Sequence, residues 1–371
     1  MRIGIDARLY KAGLGIGRYI EQLLLHLEQL QTDDEYVIFL RKEMMNVYMP
    51  TNTHFKKVCI DIPWYSLAEQ CIAPIVFLTH NVDIMHFPHF NVPIFYPKKF
   101  VLTLHDLIMI KHAESSKSAA STRHPSIHAL KYAAYLFVLR SACRRARAII
   151  AVSDSVKNDI MRYLTIPQER LYVVHEGVQL NERGRELPLP PCVRKPYCIN
   201  VGNAYPHKNI GYLLTVFEKL KIEGSPMQLV LCGQEDYFKN RVVEEIKKRG
   251  LEDSIVHLGY VSDDQLAILY RNAHAALFPS LEEGFGFGPL EAALLGTPVI
   301  VSHIPVFQEI LGTACLYIDP LNPCDMIDAL KKLDTDVHLR NNLITRGQGL
   351  LGRYSWKTNA FKTSQIYHTS L

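Results

Sequence analysis

Short apolar runs alternate with longer amphipathic stretches along this chain, and they do so in two series. The first series places strands near Ile3–Asp6, Tyr36–Leu40, Asp83–Phe87, Val101–His105, Ala148–Val152 and Leu171–His175. Between them Ile20, Leu23, Leu24, Leu27 and Leu30 recur at helical spacing, which predicts a helix from about Arg18 to Leu30. A second helix is predicted from about Ser126 to Arg147, with Lys131, Arg140, Arg144, Arg145 and Arg147 beside an apolar face. The other series starts at Tyr197–Gly202 and continues through Gln228–Cys232, Ile255–Leu258, Ala275–Phe278, Pro298–Val301 and Cys315–Ile318. Strands alternating with helices predict an α/β protein with two doubly wound parallel sheets. The pattern breaks between Asn181 and Pro196, where Glu186-Leu-Pro-Leu-Pro-Pro-Cys-Val cannot join a helix or a central strand. The predicted divisions are therefore a first domain over 1–185, a linker over 186–196, a second domain over 197–353 and a terminal helix over 354–371.

Composition narrows the class. A length of 371 residues suits two domains, and 48% hydrophobic with 21% charged residues suits a globular fold rather than a disordered one. A net charge of +4 gives no ground for nucleic acid as a partner. The eight cysteines contain no C-x-x-C pair, and Cys198 and Cys232 lie in strand-like runs, so buried reduced thiols are expected. The chain enters a strand at once, without an apolar signal core, and no apolar run approaches the roughly 20 residues a membrane span needs. The expectation is a soluble cytoplasmic protein, with peripheral contact at the inner face of the membrane at most.

The candidate chemistry gathers between Phe278 and Ser302. Glu283 and Glu291 flank a turn that holds Gly284, Phe285, Gly286, Phe287 and Gly288, with a strand on either side. Strand, glycine loop, helix and strand in that order aim backbone N–H groups and a helix N-terminus at a phosphate. Pro289 costs nothing in a first helical turn, whose N–H groups lack helical partners. One carboxylate can then take the hydroxyls of a ribose and the other those of a second sugar. Two isolated glutamates would read as solvated side chains; the whole string does not. Elsewhere, His105-Asp106 projects from a strand end, and Gly13-Leu-Gly-Ile-Gly17 leads into a helix without the acidic residue a dinucleotide fingerprint requires. Lys208 follows a glycine-ended strand and suits a diphosphate. His86 and His89, three apart, lack a third metal ligand nearby and read as structural or as lining the acceptor side. Asp334 and Asp336 mimic a metal-binding D-x-D but lie between helices, where aspartates cap. Tyr260 reads as apolar packing and Ser153 as a helix cap.

The Phe278–Ser302 string resembles the E-x7-E signature of the retaining nucleotide-sugar glycosyltransferases, family 4, which have the GT-B fold. The resemblance runs from Arg2-Ile-Gly-Ile-Asp-Ala-Arg8 to Tyr354-Ser-Trp356. It implies two Rossmann-like domains facing across a cleft, the first binding the acceptor and the second the nucleotide sugar, with the terminal helix crossing back to the first. It implies that Gly15 and Ile16 face the donor diphosphate, that His105 contacts the sugar's hydroxyls, that Glu283 orients the transferred sugar and that Glu291 holds the ribose. Lys208 and the backbone from Gly284 through Phe285, Gly286 and Phe287 would carry the diphosphate. An arginine usual near Lys208 is missing, and Asn203 or His207 stands in its place. No cofactor and no catalytic metal are implied. The Asp-Ala-Arg and Gly-Ile-Gly-Arg-Tyr segments look like bacterial mannosyltransferases of surface polysaccharide assembly. That likeness points to GDP-mannose as donor and a glycan or lipid-linked acceptor. A nucleotide-sugar epimerase of the same fold, or a catalytically weak sugar-nucleotide-binding subunit, are the competing expectations.

Overall fold

Each series of apolar runs forms one parallel sheet in the computed structural model, which describes residues 1–11, 15–111, 125–178 and 187–371. The chain divides into one unit of Met1–Gly177 with Tyr354–Leu371 and a second of Val178–Arg353. In the first, β1 (Arg2–Asp6), β2 (Glu35–Leu40), β3 (Phe55–Cys59), β4 (Ile84–Phe87), β5 (Phe100–Leu104), β6 (Ala148–Ala151) and β7 (Leu171–Val173) are ordered β3-β2-β1-β4-β5-β6-β7. Ile3 sits opposite Tyr36 on one side and Ile84 on the other. The central strands read as unbroken apolar runs because helices cover both faces of such a sheet. The strand order reverses between β1 and β4, and ligands of such sheets bind outside the carboxyl ends of the strands at that reversal.

Two elements escape the sequence pattern. Strand β3 carries exposed Lys56 and little buried apolar surface, because it pairs only with β2 at the sheet edge. The helix Leu67–Thr79 holds Pro74 inside it and exposes Leu67, Ile72 and Ile75, which blurs its period. The helix Pro125–Arg145 buries Leu139, Ala142 and Cys143. Arg145, grouped with the solvent-facing cations by spacing, instead donates to the carbonyls of Ile94 and Tyr96 and lies over the Phe100 ring. The terminal helix Trp356–Thr369 packs on the helix Ile16–Leu27 within the same unit.

In the second unit, β8 (Tyr197–Val201), β9 (Gln228–Cys232), β10 (Ile255–Gly259), β11 (Ala275–Phe278), β12 (Val299–Ser302) and β13 (Leu316–Ile318) are ordered β10-β9-β8-β11-β12-β13. The reversal falls between β8 and β11. Leu213 and Phe217 of the helix Ile210–Ile222 pack against Leu229, Leu277 and Ile300 of the sheet. The proline-rich run is not free chain from residue 187 onward. Val193 is buried, the Arg194 N–H donates to Gln228 Oε1, and Gln228 Nε2 donates to the Cys192 carbonyl. Its irregular backbone has the sequence signature of a linker, while its side chains belong to this unit. Asn181–Glu186, like Gly13 of the glycine loop, lie outside the described residues. Cys198 and Cys232 are buried and free, whereas Cys59, Cys71, Cys192 and Cys324 are free and exposed. Among the described residues no helix is long and apolar enough to cross a membrane.

Candidate active site

Adjacent strands at the reversal of the second sheet bring Lys208 and Glu283 together, 75 residues apart in sequence. After β8 the chain makes a tight turn over Pro206–Lys208 and ends it at Asn209 in the left-handed region, φ 57°. Asn209 Nδ2 donates to the carbonyls of Pro279 and Pro320, at 3.2 and 2.9 Å. The Leu281 N–H donates to the His207 carbonyl at 2.7 Å. These bonds stitch the loop after β8 to the loop after β11. Lys208 Nζ then lies 2.7 and 2.8 Å from Glu283 Oε1 and Oε2, and Ser280 Oγ donates to Oε1 at 2.8 Å. Lys208 is 23% exposed and Glu283 11%, so the pair is neither sealed nor freely solvated. Burial pushes the Glu283 carboxyl up, but the Lys208 ammonium, with His207 and Ser280 behind it, outweighs that and holds it below the usual range. Asn203, just past β8, has a buried Oδ1 without a hydrogen-bond partner among the described residues.

The glycine loop is fixed by packing. Gly286 has φ 96°, and a Cβ there would lie 2.8 Å from a Phe307 ring carbon. A Cβ on Gly288 would meet the Phe278 ring at 2.7 Å. A side chain at either position would force the facing phenylalanine ring or the turn to shift. Phe285 is buried edge-on to Phe287, so what position 285 offers a ligand is its backbone. The helix Phe287–Leu294 starts with no side-chain cap, and Glu291 lies in it at 7% exposure.

Most of the remaining predicted residues belong to the first unit. Gly15, at φ 84°, precedes the helix Ile16–Leu27, and its carbonyl accepts from the Tyr19 N–H. Ile16 is the first residue of that helix. His105 stands at the carboxyl end of β5 with Nδ1 2.9 Å from Glu176 Oε1 and Nε2 3.0 Å from the Pro88 carbonyl oxygen. A carboxylate and a carbonyl both only accept, so these two partners favour the ring with both nitrogens protonated. Burial pushes its pKa down, but Glu176 and the Pro88 carbonyl outweigh it and raise it. Both ring nitrogens of His105 thus have protein partners, and Glu176 favours its charged form. Glu176 was missed from sequence, where the only signal was a polar residue just beyond the short apolar run of β7. Asp106 accepts from the Ile108 N–H and holds the loop. His86 is fully buried between Thr103 Oγ1 and Tyr367 Oη, at 2.8 and 2.7 Å, and burial with the nearby His105 charge pushes it down to about 3. Asp336 caps the helix Val337–Gln348, and Asp334 pairs with His274.

Comparison with known proteins places the chain in a family. The sequence model of the Glycosyltransferase Family 4 matches residues 15–182, and that of the Glycosyl transferases group 1 matches residues 190–349. Together they cover both units, and the chain belongs to the family-4-type glycosyltransferases. It is 25% identical over 338 residues to the O-antigen chain mannosyltransferase RfbU of Salmonella typhimurium, covering 88% of this chain and 89% of that one. It is 28% identical over 300 residues to the O-antigen chain mannosyltransferase B of Escherichia coli, covering 76% and 74%. Among solved structures, a sucrose-phosphate synthase from Thermosynechococcus elongatus superposes with a TM-score of 0.79 at 19% identity, over 100% and 98% of the two chains. Anabaena HepE in complex with UDP-glucose superposes at 0.73 and 16% identity, over the whole of both. These likenesses make the fold GT-B.

Proposed function

We propose that this glycosyltransferase is a retaining hexosyltransferase that moves mannose from GDP-mannose to a hydroxyl of a glycan or lipid-linked acceptor in surface polysaccharide assembly. The observation that carries this reading is the Lys208–Glu283 pair at the mouth of β8 and β11. An ammonium has three N–H groups, and two directed at Glu283 leave one for a phosphate oxygen. The ionised carboxylate keeps lone pairs for sugar hydroxyls. The bond from the sugar's anomeric carbon to the diphosphate breaks, the acceptor oxygen bonds to that carbon from the same face, and a leaving phosphate oxygen takes the acceptor's proton. Negative charge grows on the diphosphate, and Lys208, the Gly284–Gly288 backbone and the Gly15 turn counter it. Each such contact is worth a few kcal/mol. Glu291 accepts from the ribose hydroxyls. Mannose is favoured by the names of the two O-antigen relatives, and UDP-glucose, bound by HepE, is the comparison donor. Asp334, Asp336 and His86 of the D-x-D and H-x-x-H patterns already have protein partners, so turnover is expected to persist in excess chelator.

A thermal-shift panel of nucleoside diphosphate sugars tests the donor, with GDP-mannose expected to raise the melting temperature most. Proton spectra of the product should then show the donor's anomeric configuration retained. An inverted product overturns the mechanism. An isomerised donor formed without acceptor would make the protein an epimerase, and binding without transfer would make it a binding subunit. Peripheral docking to an anionic inner membrane face is part of the same reading. The helix Pro125–Arg145 exposes Leu130 and Phe137 beside exposed Lys131, Arg140 and Arg144.

A further inference from the structure

The turn after β7 is gripped on both sides of Glu176 by the segment Tyr354–Leu371, which belongs to the same unit. Before Glu176, the His175 carbonyl accepts from Asn359 Nδ2 at 2.9 Å, and the His175 ring meets the Tyr354 ring edge-on at 5.6 Å. After it, Gly177 lies so close to the chain at Trp356 that a Cβ there would stand 2.7 Å from the Trp356 Cα. A residue without a Cβ is what permits that approach. Asn359 is 1% exposed, and Tyr354 and Trp356 are buried with it. Between the two holds stands the Glu176 carboxylate, itself 2% exposed, with Oε1 2.9 Å from His105 Nδ1. Trp356 reaches the same histidine by a second route. Its ring lies against that of Tyr19 at 5.9 Å, and Tyr19 is edge-on to His105 at 4.8 Å.

A carboxylate opposite an imidazole favours the doubly protonated ring, and the bond between them weakens steeply once its distance or angle leaves a narrow range. Whatever fixes the Glu176 turn therefore bears on the charge of His105. The groups around the ring divide into two sets. Burial works against its charge, and Glu176, the Pro88 carbonyl and Asp106 work for it. His86 and His89 are neighbouring imidazoles that burial and the His105 charge keep neutral. Tyr19 meets the ring with its edge, its hydroxyl being bonded to Thr103 Oγ1 at 3.2 Å. His105 keeps 14% of its surface open, just beyond the carboxyl end of β5, the end at which sheets of this kind bind ligands.

We propose that Asn359 and Trp356 are positioning residues, which hold Glu176 on His105 and so keep His105 protonated to counter the negative charge that grows during transfer. The consequence for transfer rests on the reading above; the hold on Glu176 does not. The His105 ring resonances are titrated with pH by NMR in the full chain, and transfer from GDP-mannose is measured over the same pH range. Asn359→Leu keeps the volume and loses the donor. It should bring the His105 midpoint down by about 0.5–1 pH units, and Glu176→Gln by about 1–3. The alkaline fall in kcat should move down by the same amounts. Ile366→Ala is the control, since it loosens the same helix two turns beyond Asn359 and removes no side-chain hydrogen bond. It should leave the midpoint in place. Trp356→Phe, with a shift in the same direction, serves if Asn359→Leu does not fold. A midpoint unmoved in both Asn359→Leu and Trp356→Phe, or moved as far in Ile366→Ala, overturns the hold. A midpoint that moves while the pH–rate profile stays overturns the role in transfer and leaves transfer itself intact. If no donor supports transfer, the transfer reading fails, and the titration alone still upholds or overturns the hold.

Discussion

Both sheets carry a cation held by carboxylate at their strand reversal, and the two are built to opposite ends. In the first unit Arg8 is sealed, with two carboxylates around one guanidinium and Asn91 Nδ2 donating to the outer one, Glu69. In the second, Lys208 meets one carboxylate, and both remain partly open. A fork-shaped guanidinium suits a fixed bidentate pair, whereas an ammonium is a point charge that can turn a third N–H toward a phosphate. Sealing a charge makes it a structural commitment, and leaving it half-open keeps it available for chemistry. The contrast lies in burial and partner count as well as in the shape of the cation.

Arg8→Met should have the largest effect, and on stability. It leaves Asp6 and Glu69 buried without a cation, which costs about 3–5 kcal/mol. Urea unfolding reads this directly, and a loss under about 1 kcal/mol would erase the contrast. Next come Lys208→Met and Glu283→Gln, which should lower turnover about 100- to 1000-fold, the scale of losing one preorganised contact to developing charge. Single-turnover assays at saturating donor check this, with near-UV circular dichroism to confirm folding. Full rates would remove the pair from the chemistry. Glu291→Ala should weaken nucleotide binding by about 1.5–3 kcal/mol for each charge-assisted bond lost, read by calorimetry with GDP. Unchanged affinity would take Glu291 out of the site.

A smaller effect separates the two units by pH. His105 has a raised pKa, so its contribution is complete below the unfolded value near 6.5 and is lost as pH rises through the folded value. Glu283 has a lowered one, so its contribution is present above the unfolded value near 4.3 and is lost as pH falls through the folded value. His86 and His89, held near 3, cost stability as pH drops below about 6.5. Subtracting the pH–stability curve of Glu176→Gln from that of wild type isolates His105 and should leave an alkaline-side loss. A flat difference would mean that His105 does not carry the charge. The smallest effect concerns the surface of the first unit, where reversing Lys131, Arg140 and Arg144 should each weaken sedimentation with anionic vesicles by about 1 kcal/mol. Equal sedimentation with neutral vesicles would separate this surface from membrane binding.

What the sequence by itself determined was local and periodic. Central strands and the helices covering them follow from apolar spacing, and the Glu283–Glu291 string is a contiguous segment whose glycines, strand and helix start are all neighbours in the chain. The edge strand Phe55–Cys59 and the proline-bearing helix Leu67–Thr79 were illegible because the strand buries little apolar surface and the helix exposes Leu67, Ile72 and Ile75 while burying Glu69. Tertiary structure alone decided the partners. That Lys208 bonds Glu283, that Glu176 bonds His105 and that Arg145 serves two carbonyls all depend on contacts across tens of residues. A side chain's charge state and free valence are set by the atoms around it in three dimensions, and strand order, rather than sequence spacing, chooses those atoms.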